Sequence, residues 1–328
     1  MTTAIVIFLL TLLVVTTFGI AWARNLFVAV MLTGIFSLVI AATFFVLDAA
    51  DVALTEAAVG AGIATVLLLG ALALTGDRAR QRPLRRWLAL FVVASTALIM
   101  IYASFDQPRF GDPHAPVHQH VAPWYLAETP RLIDIPNVVT AILASFRGYD
   151  TLGELFVILT AGIGVRLILG PTPRPGSLTQ LPSADAMGLR HHLVPRVVGR
   201  LLVPFIVLFG LYVQFHGEYG PGGGFQAGAI VAAGLILHAL LEGEPAATRL
   251  VPARRLSLLA ASGAFLYGGV GIATMLAGGA FLDYSVLLRD SIAGQHLGIF
   301  LIELGVGATV CGVLLSIFHA FAAREQRS

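Results

Sequence analysis

Predominantly apolar stretches of about 20 residues recur along this whole chain, and each is long enough to cross the hydrocarbon of a bilayer as a helix. A soluble fold has no place for so many of them. Nine can be set out, over 3–22, 26–47, 52–75, 87–105, 151–169, 198–216, 225–241, 256–277 and 294–321. The expected fold is therefore all-α, a polytopic transmembrane helical bundle of about nine spans. Composition agrees: of 328 residues 57% are hydrophobic and 12% charged, about half the charged share of a soluble domain. No stretch reads as a separate soluble domain, which excludes ordinary soluble enzymes. The apolar run 1–20 has no basic start and no small-residue cleavage site, so it is expected to be a retained first helix and not a signal peptide.

Arginine orients the bundle, since the chain has no lysine. Alternate loops hold Arg24; Arg78, Arg80, Arg82, Arg85 and Arg86; Arg174, Arg190, Arg196 and Arg200; and Arg249, Arg254 and Arg255. Arg324 and Arg327 in the tail and Arg166 at the matching end of its helix bring this side to sixteen of the twenty. The opposite side holds only Arg109, Arg131, Arg147 and Arg289. The excess of arginine marks the cytoplasmic side, which puts the N-terminus out and the C-terminus in. That arrangement requires an odd number of spans, as nine is. Two long connections interrupt the pattern. The outer one, 106–150, contains six prolines, and its part 136–146 is apolar enough to lie along the membrane interface. The inner one, 171–195, is rich in Pro, Gly and Ser and reads as a linker.

Carboxylates inside spans cost roughly 2.5–3.5 kcal/mol each on insertion scales, so they need a partner or a purpose. Glu56 shares a helical face with Ala53 and Gly60, which should turn it toward a packed neighbouring helix. Glu154, near the outer end of its span, suits either a path residue or a helix cap close to Thr151. Glu303 lies about 14 Å from the outer start of the last span. His296 precedes it by two turns on the same face and Gly307 follows at i+4. A His–Glu pair beside a glycine suits a protonatable relay, or a single polar contact that holds two helices in register. The segment 216–228, with His216, Pro221, Gly222, Gly223, Gly224, Phe225 and Gln226, cannot continue a regular helix. It is either a tight turn or a broken stretch that offers amides and carbonyls to an ion. It lacks the Gly-Lys-Ser/Thr ending of a phosphate loop. His114, His118 and His120 have no Cys or paired carboxylate fixed beside them, so no metal site is expected. The lone Cys311 is expected to be a small core residue. No catalytic triad or dinucleotide fingerprint is present, and neither an enzyme, a cofactor nor a nucleic-acid partner is expected.

These motifs resemble those of a known family. The run 51–60, Asp-Val-Ala-Leu-Thr-Glu-Ala-Ala-Val-Gly, is similar to the small D-type (MbhD) subunit of membrane-bound hydrogenases and to the tail of the large A-type subunit of Mrp-type multisubunit Na+/H+ antiporters. The segment 137–154, with Phe-Arg-Gly-Tyr-Asp-Thr-Leu-Gly-Glu, looks like the E-type (MbhE) module that follows it. The segment 200–228 resembles the B-type subunit (MnhB) of the same antiporters, and 298–307 its last helix, where the family tends to show Asp and this chain has Glu303. The resemblance implies a fused subunit: an MbhD-like module over 1–80, an MbhE-like module over 81–175, the linker 176–195 and an MnhB-like four-helix module over 196–328. It implies Glu56, Glu154 and Glu303 as path carboxylates. Asp51 and Asp150 in the same motifs, and His296, complete the candidates. The implied setting is the plasma (inner) membrane of a prokaryote, with Na+ and H+ as ions and the other subunits of an Mrp-type or hydrogenase-type complex as partners. With no lysine, the chain lacks the buried Lys–Glu pairs of the channel-forming subunits, so an accessory and coupling role is expected. A membrane-arm subunit of a redox-driven ion pump and a purely structural scaffold are the two alternatives.

Overall fold

The computed structural model describes residues 2–78, 86–109, 111–169, 193–243 and 249–325. Among these residues nine helices are long and apolar enough to cross a membrane. They are α1 (Thr2–Trp22), α2 (Leu26–Val46), α3 (Ala50–Thr75), α4 (Arg86–Ser104), α5 (Gly148–Leu169), α6 (Leu193–His216), α7 (Gly224–Glu242), α8 (Ala253–Leu276) and α9 (Ser291–Glu325). The chain is all-α, with one isolated bridge, between Asn25 and Arg78, among the described residues. Each span closes its own backbone hydrogen bonds, as a lipid environment requires. Most of the linker 176–195, and Arg80, Arg82, Arg85, Arg174, Arg190 and Arg327, lie outside the described residues.

Observed bounds refine the expected ones. α6 opens at Leu193, five residues early, and takes up the end of the expected linker. α9 runs for 35 residues, about 52 Å at 1.5 Å per residue, well beyond a hydrocarbon thickness of about 30 Å. α3 is not uniform: Ala50–Thr55 and Thr65–Thr75 are α-helical, and Glu56–Ala64 between them is a π-helix. Such wide turns are rare and are frequent at functional sites.

The core sits at α9, which packs against α8, α7, α5 and the Thr65–Thr75 part of α3. The closest approaches are glycine contacts. A Cβ on Gly228 of α7 would stand 2.6 Å from the Gly307 carbonyl of α9. On the other side of α9, a Cβ on Gly305 would stand 2.7 Å from the Gly263 carbonyl of α8. Lipid tails are as apolar as leucine, so helices associate in a membrane through close packing of this kind.

The connection between α4 and α5 holds a helix, Ala122–Leu132, and a short turn, Val138–Ala141, continued by a π-helical turn, Ile142–Phe146. Its 136–146 part is wedged into the protein, with Ala141 and Ala144 almost fully buried. Two tyrosines fasten it. The Tyr284 hydroxyl donates to the Ala144 carbonyl at 3.0 Å, and the Tyr267 hydroxyl to the Gly148 carbonyl at 2.8 Å. Burial raises the Tyr284 phenol well above the ordinary tyrosine range, which keeps it a proton donor.

Candidate functional site

The glycine-rich break is where α6 ends, at His216, and α7 begins, at Gly224. Gly222, Gly223 and Gly224 are buried. Gly223 has φ +124°, a conformation that residues with a side chain rarely adopt. Gly224 sits against the backbone of Glu303, and a Cβ there would clash with the Glu303 carbonyl. This absence of side chains lets the start of α7 reach α9. The Gly224 N–H, the first of its helix, donates to the Glu303 carboxylate. A helix N-terminus carries unpaired amides and partial positive charge, so it suits a carboxylate.

The same break meets a second carboxylate on its other side. Asp51, in the first turn of α3, accepts from the Gly222 N–H at 3.3 Å and from Asn137 Nδ2 at 3.2 Å. Asn137 Nδ2 also donates to the carbonyls of Gly220 at 2.9 Å and Gly217 at 3.1 Å. The Thr140 hydroxyl reaches the Gly217 carbonyl at 2.7 Å. Gln226, in the first turn of α7, donates to the Thr55 hydroxyl of α3 at 2.9 Å. The break thus turns amides toward carboxylates and carbonyls toward an asparagine.

Between these groups lies a cavity of about 500 Å³. Asp51, Glu154 and Glu303 line it from α3, α5 and α9. Thr55, Thr140, Thr151, Gly222, Phe225 and Gln226 line it too, and the rest of its wall is apolar. Among the described residues, no cationic side chain lines it. Three carboxylates with no fixed cation are chemically suited to protons or small cations.

The other expected residues stand apart. The Glu56 carboxylate does not line the cavity. It folds back over Gly60 in the π-helix, and a Cβ on that glycine would lie 2.8 Å from Ser37 Oγ of α2. His296 pairs with Glu218, Nδ1 to Oε2 at 3.1 Å, and not with Glu303. Asp150 is exposed and pairs with Arg147 at 2.5 Å. His216 stacks on Tyr212 with ring centres 4.8 Å apart, and Pro221 is exposed. The capping reading of Glu154 does not hold, because α5 begins at Gly148 and places Glu154 in its second turn. The Thr151 hydroxyl instead donates to the Leu143 carbonyl at 2.7 Å. His118 and His120 are exposed on a π-helical turn, Val117–Val121.

Asn137 and Glu218 are functional candidates that the sequence alone does not single out. The signal for Asn137 is local. An Asn after Pro136 and before an apolar turn is a helix N-cap, and its Oδ1 does accept from Val139 N at 3.0 Å. Nothing local reveals that its other amide atom serves the 216–223 segment, about eighty residues away. At the far end of α7, Glu242 pairs with Arg200 and, at 3.6 Å, with Arg196 of α6.

Nine apolar helices among the described residues, with a carboxylate-lined cavity between four of them, define a polytopic membrane protein. Residues 194–316 match the model of a domain related to the MnhB subunit of Na+/H+ antiporters, and residues 11–77 that of MbhD, the D-type subunit of MBH. The antiporter subunit mnhB2 of Staphylococcus haemolyticus is 31% identical over 140 residues, which are 40% of this chain and 94% of that protein. The chain belongs to this MnhB-related family of antiporter subunits. The probable K+/H+ antiporter A/B subunit of Rhizobium meliloti is 26% identical over 92% of this chain. A chain in the structure of the Mrp complex from Dietzia sp. DQ12-45-1b superposes with a TM-score of 0.77 at 27% identity over 96% of this chain. This chain spans about a third of the length of each of those two, 32% and 34%. The helices and these relatives make it a multi-pass protein of the bacterial plasma membrane.

Proposed function

We propose that the chain is an accessory and coupling subunit of a hetero-oligomeric cation/proton antiporter, and that the cavity is part of its ion path. The observation that carries this reading is the meeting of Asp51, Glu154 and Glu303 around one space with no cationic lining. Glu303 is the best-placed exchangeable group, because a helix N-terminus supports its anion and it lines the cavity. Asp51 is held by two donors and serves to shape the site. His296 and Glu218 form a hydrogen-bonded pair near the start of α9, on the side given to the exterior, and feed protons toward the break. The relatives' names mention Na+ for one and K+ for another, and an alkali cation is the substrate class proposed here. The division into an MbhD-like part over 1–80, an MbhE-like part over 81–175 and an MnhB-like part over 196–328 belongs to the same proposal. So does the orientation with the N-terminus outside.

The test is Glu303→Gln in the assembled complex, with assembly and pH-gradient-driven exchange measured side by side. Gln keeps shape and hydrogen bonding but cannot titrate. Exchange is expected to fall by about tenfold or more, the scale of a lost general acid–base group, with assembly unchanged. Glu303→Asp is expected to retain activity. Full exchange in the Gln variant, with an Ala variant that fails to assemble, would leave a scaffold. Orientation is tested by labelling a cysteine introduced at Ser183, with buried Cys311 replaced by serine; access only from the cytoplasmic side is expected, and labelling of intact cells overturns the orientation.

A further inference from the structure

We propose that Asn137 is a positioning residue for Glu303, acting through the glycine break. The inference rests on the reading of Glu303 as the exchangeable carboxylate of the cavity.

Asn137 is buried, 8% exposed, and all its polar atoms are engaged. Its Oδ1 accepts from Val139 N and Thr140 N, and its own carbonyl accepts from Ala141 N at 3.1 Å. Its N–H donates to the Glu218 carbonyl at 3.0 Å. Its Nδ2, with two hydrogens, faces three oxygens: Asp51 Oδ1 and the carbonyls of Gly217 and Gly220. No other side chain of similar size both accepts from a helix start and donates to three oxygens. Aspartate keeps the first role and loses the second.

The geometry of the break carries that grip to Glu303. From Gly220, whose carbonyl Asn137 holds, to Gly224, whose N–H meets Glu303, is four residues. Three of them, Gly222, Gly223 and Gly224, have no side chain with which to anchor themselves. They are fixed by backbone groups alone: Gly222 N–H on Asp51, Gly223 N–H on Val213 O at 3.2 Å, and Gly224 N–H on Glu303. Asp51 is itself held by Asn137 Nδ2, so the support of Gly222 and the grip on the Gly220 carbonyl pass through one amide group. Without it, two carbonyls and a carboxylate lose a donor together, and the stretch that presents the Gly224 amide is free to shift.

The experiment uses the assembled complex and reads the geometry at Glu303 directly. A hydrophobic carbodiimide modifies protonated carboxyl groups in apolar surroundings, and mass spectrometry of the modified peptide gives the rate at Glu303. In Asn137→Asp, Glu303 is expected to label several-fold faster than in the wild type at the same pH, because its fixed amide donor is lost. The pH profile of exchange is expected to move, and turnover to fall by about tenfold, the scale of a lost charge-assisted hydrogen bond. Thr160→Val on α5 removes a hydroxyl that bonds only within its own helix, away from the cavity, and is expected to keep the wild-type labelling rate. Should Asn137→Asp fail to assemble, Asn137→Ser keeps the cap and one donor, and an intermediate labelling rate is expected. Wild-type labelling and pH profile in whichever variant assembles overturn the proposal, even if turnover falls. The labelling result stands whether or not Glu303 carries protons. Failure of the transport reading would show separately, as full exchange in Glu303→Gln.

Discussion

The helices α1 and α4 and the helices α7 and α9 are alike in hydropathy and opposite in packing. Mean hydropathy over the best window is 2.7 and 2.0 for the first pair and 1.8 and 2.1 for the second. None of that window is buried in α1 or α4, against 50% in α7 and 61% in α9. The sequence feature that separates them is glycine. α1 has only Gly19, near its end, and α4 has none; large side chains such as Trp87 and Tyr102 stand out from α4, 81% and 80% exposed. α7 has Gly224, Gly228 and Gly234, and α9 has Gly305, Gly307 and Gly312 along its packed length. Apolarity selects which segments enter a membrane, and small residues select which of them touch. The carboxylate of Glu303 is tolerable because it lies on the glycine-packed side, where a backbone amide meets it.

The largest expected effect breaks this contrast at its tightest point. Gly224→Ala drives a Cβ into the Glu303 backbone, and overpacking of this kind costs about 1–3 kcal/mol or more. Little monodisperse protein is expected on size-exclusion chromatography in detergent. Gly153→Ala and Gly164→Ala on α5 meet nothing within 4 Å and are expected to run as the wild type. Equal behaviour of the three variants would show that glycine packing does not hold the core.

A smaller effect is expected at the tyrosines that fasten the connection between α4 and α5. Tyr267→Phe leaves the buried Gly148 carbonyl without its donor, a loss of about 1–3 kcal/mol. The melting temperature in detergent is expected to fall by a few degrees, whereas Tyr102→Phe on exposed α4 is expected to leave it unchanged. The smallest effect is expected at the end of α7. Arg200 pairs with Glu242 but is 52% exposed, and such pairs add little to stability. Arg200→Gln is expected to shift melting by less than Tyr267→Phe does, and by less still in high salt. A larger shift than the tyrosine variant shows would make the Arg200–Glu242 ion pair part of the core.

Much of this was legible in the sequence, for reasons that differ by residue. The spans were legible because a bilayer demands a minimum apolar length, and the observed helices differ from the expected ones mainly at their ends, as at Leu193 and Ser291. The break at 216–224 was legible because proline and glycine cannot continue a helix there. Glu154 and Glu303 were legible as carboxylates in apolar surroundings. The π-helix at Glu56–Ala64 was not, since its small residues fit an ordinary helix equally well. The pairing of His296 with Glu218 was not either: helical spacing puts His296 and Glu303 on one face but cannot show a third residue approaching from another segment.

By itself, then, the sequence determined the all-α class, the number of spans, the broken segment and the carboxylates that stand in apolar surroundings. Each follows from a local rule, namely the length that lipid requires, the torsions that glycine and proline impose, or the cost of a charge. Only the tertiary structure decided that Asp51, Glu154 and Glu303 share one cavity while Glu56 and Asp150 do not. It also decided that Asn137 holds the break. These are contacts between segments eighty or more residues apart in the chain. They depend on which helix faces come together, and close backbone contact at Gly228, Gly263, Gly305 and Gly307 sets that, where hydropathy does not.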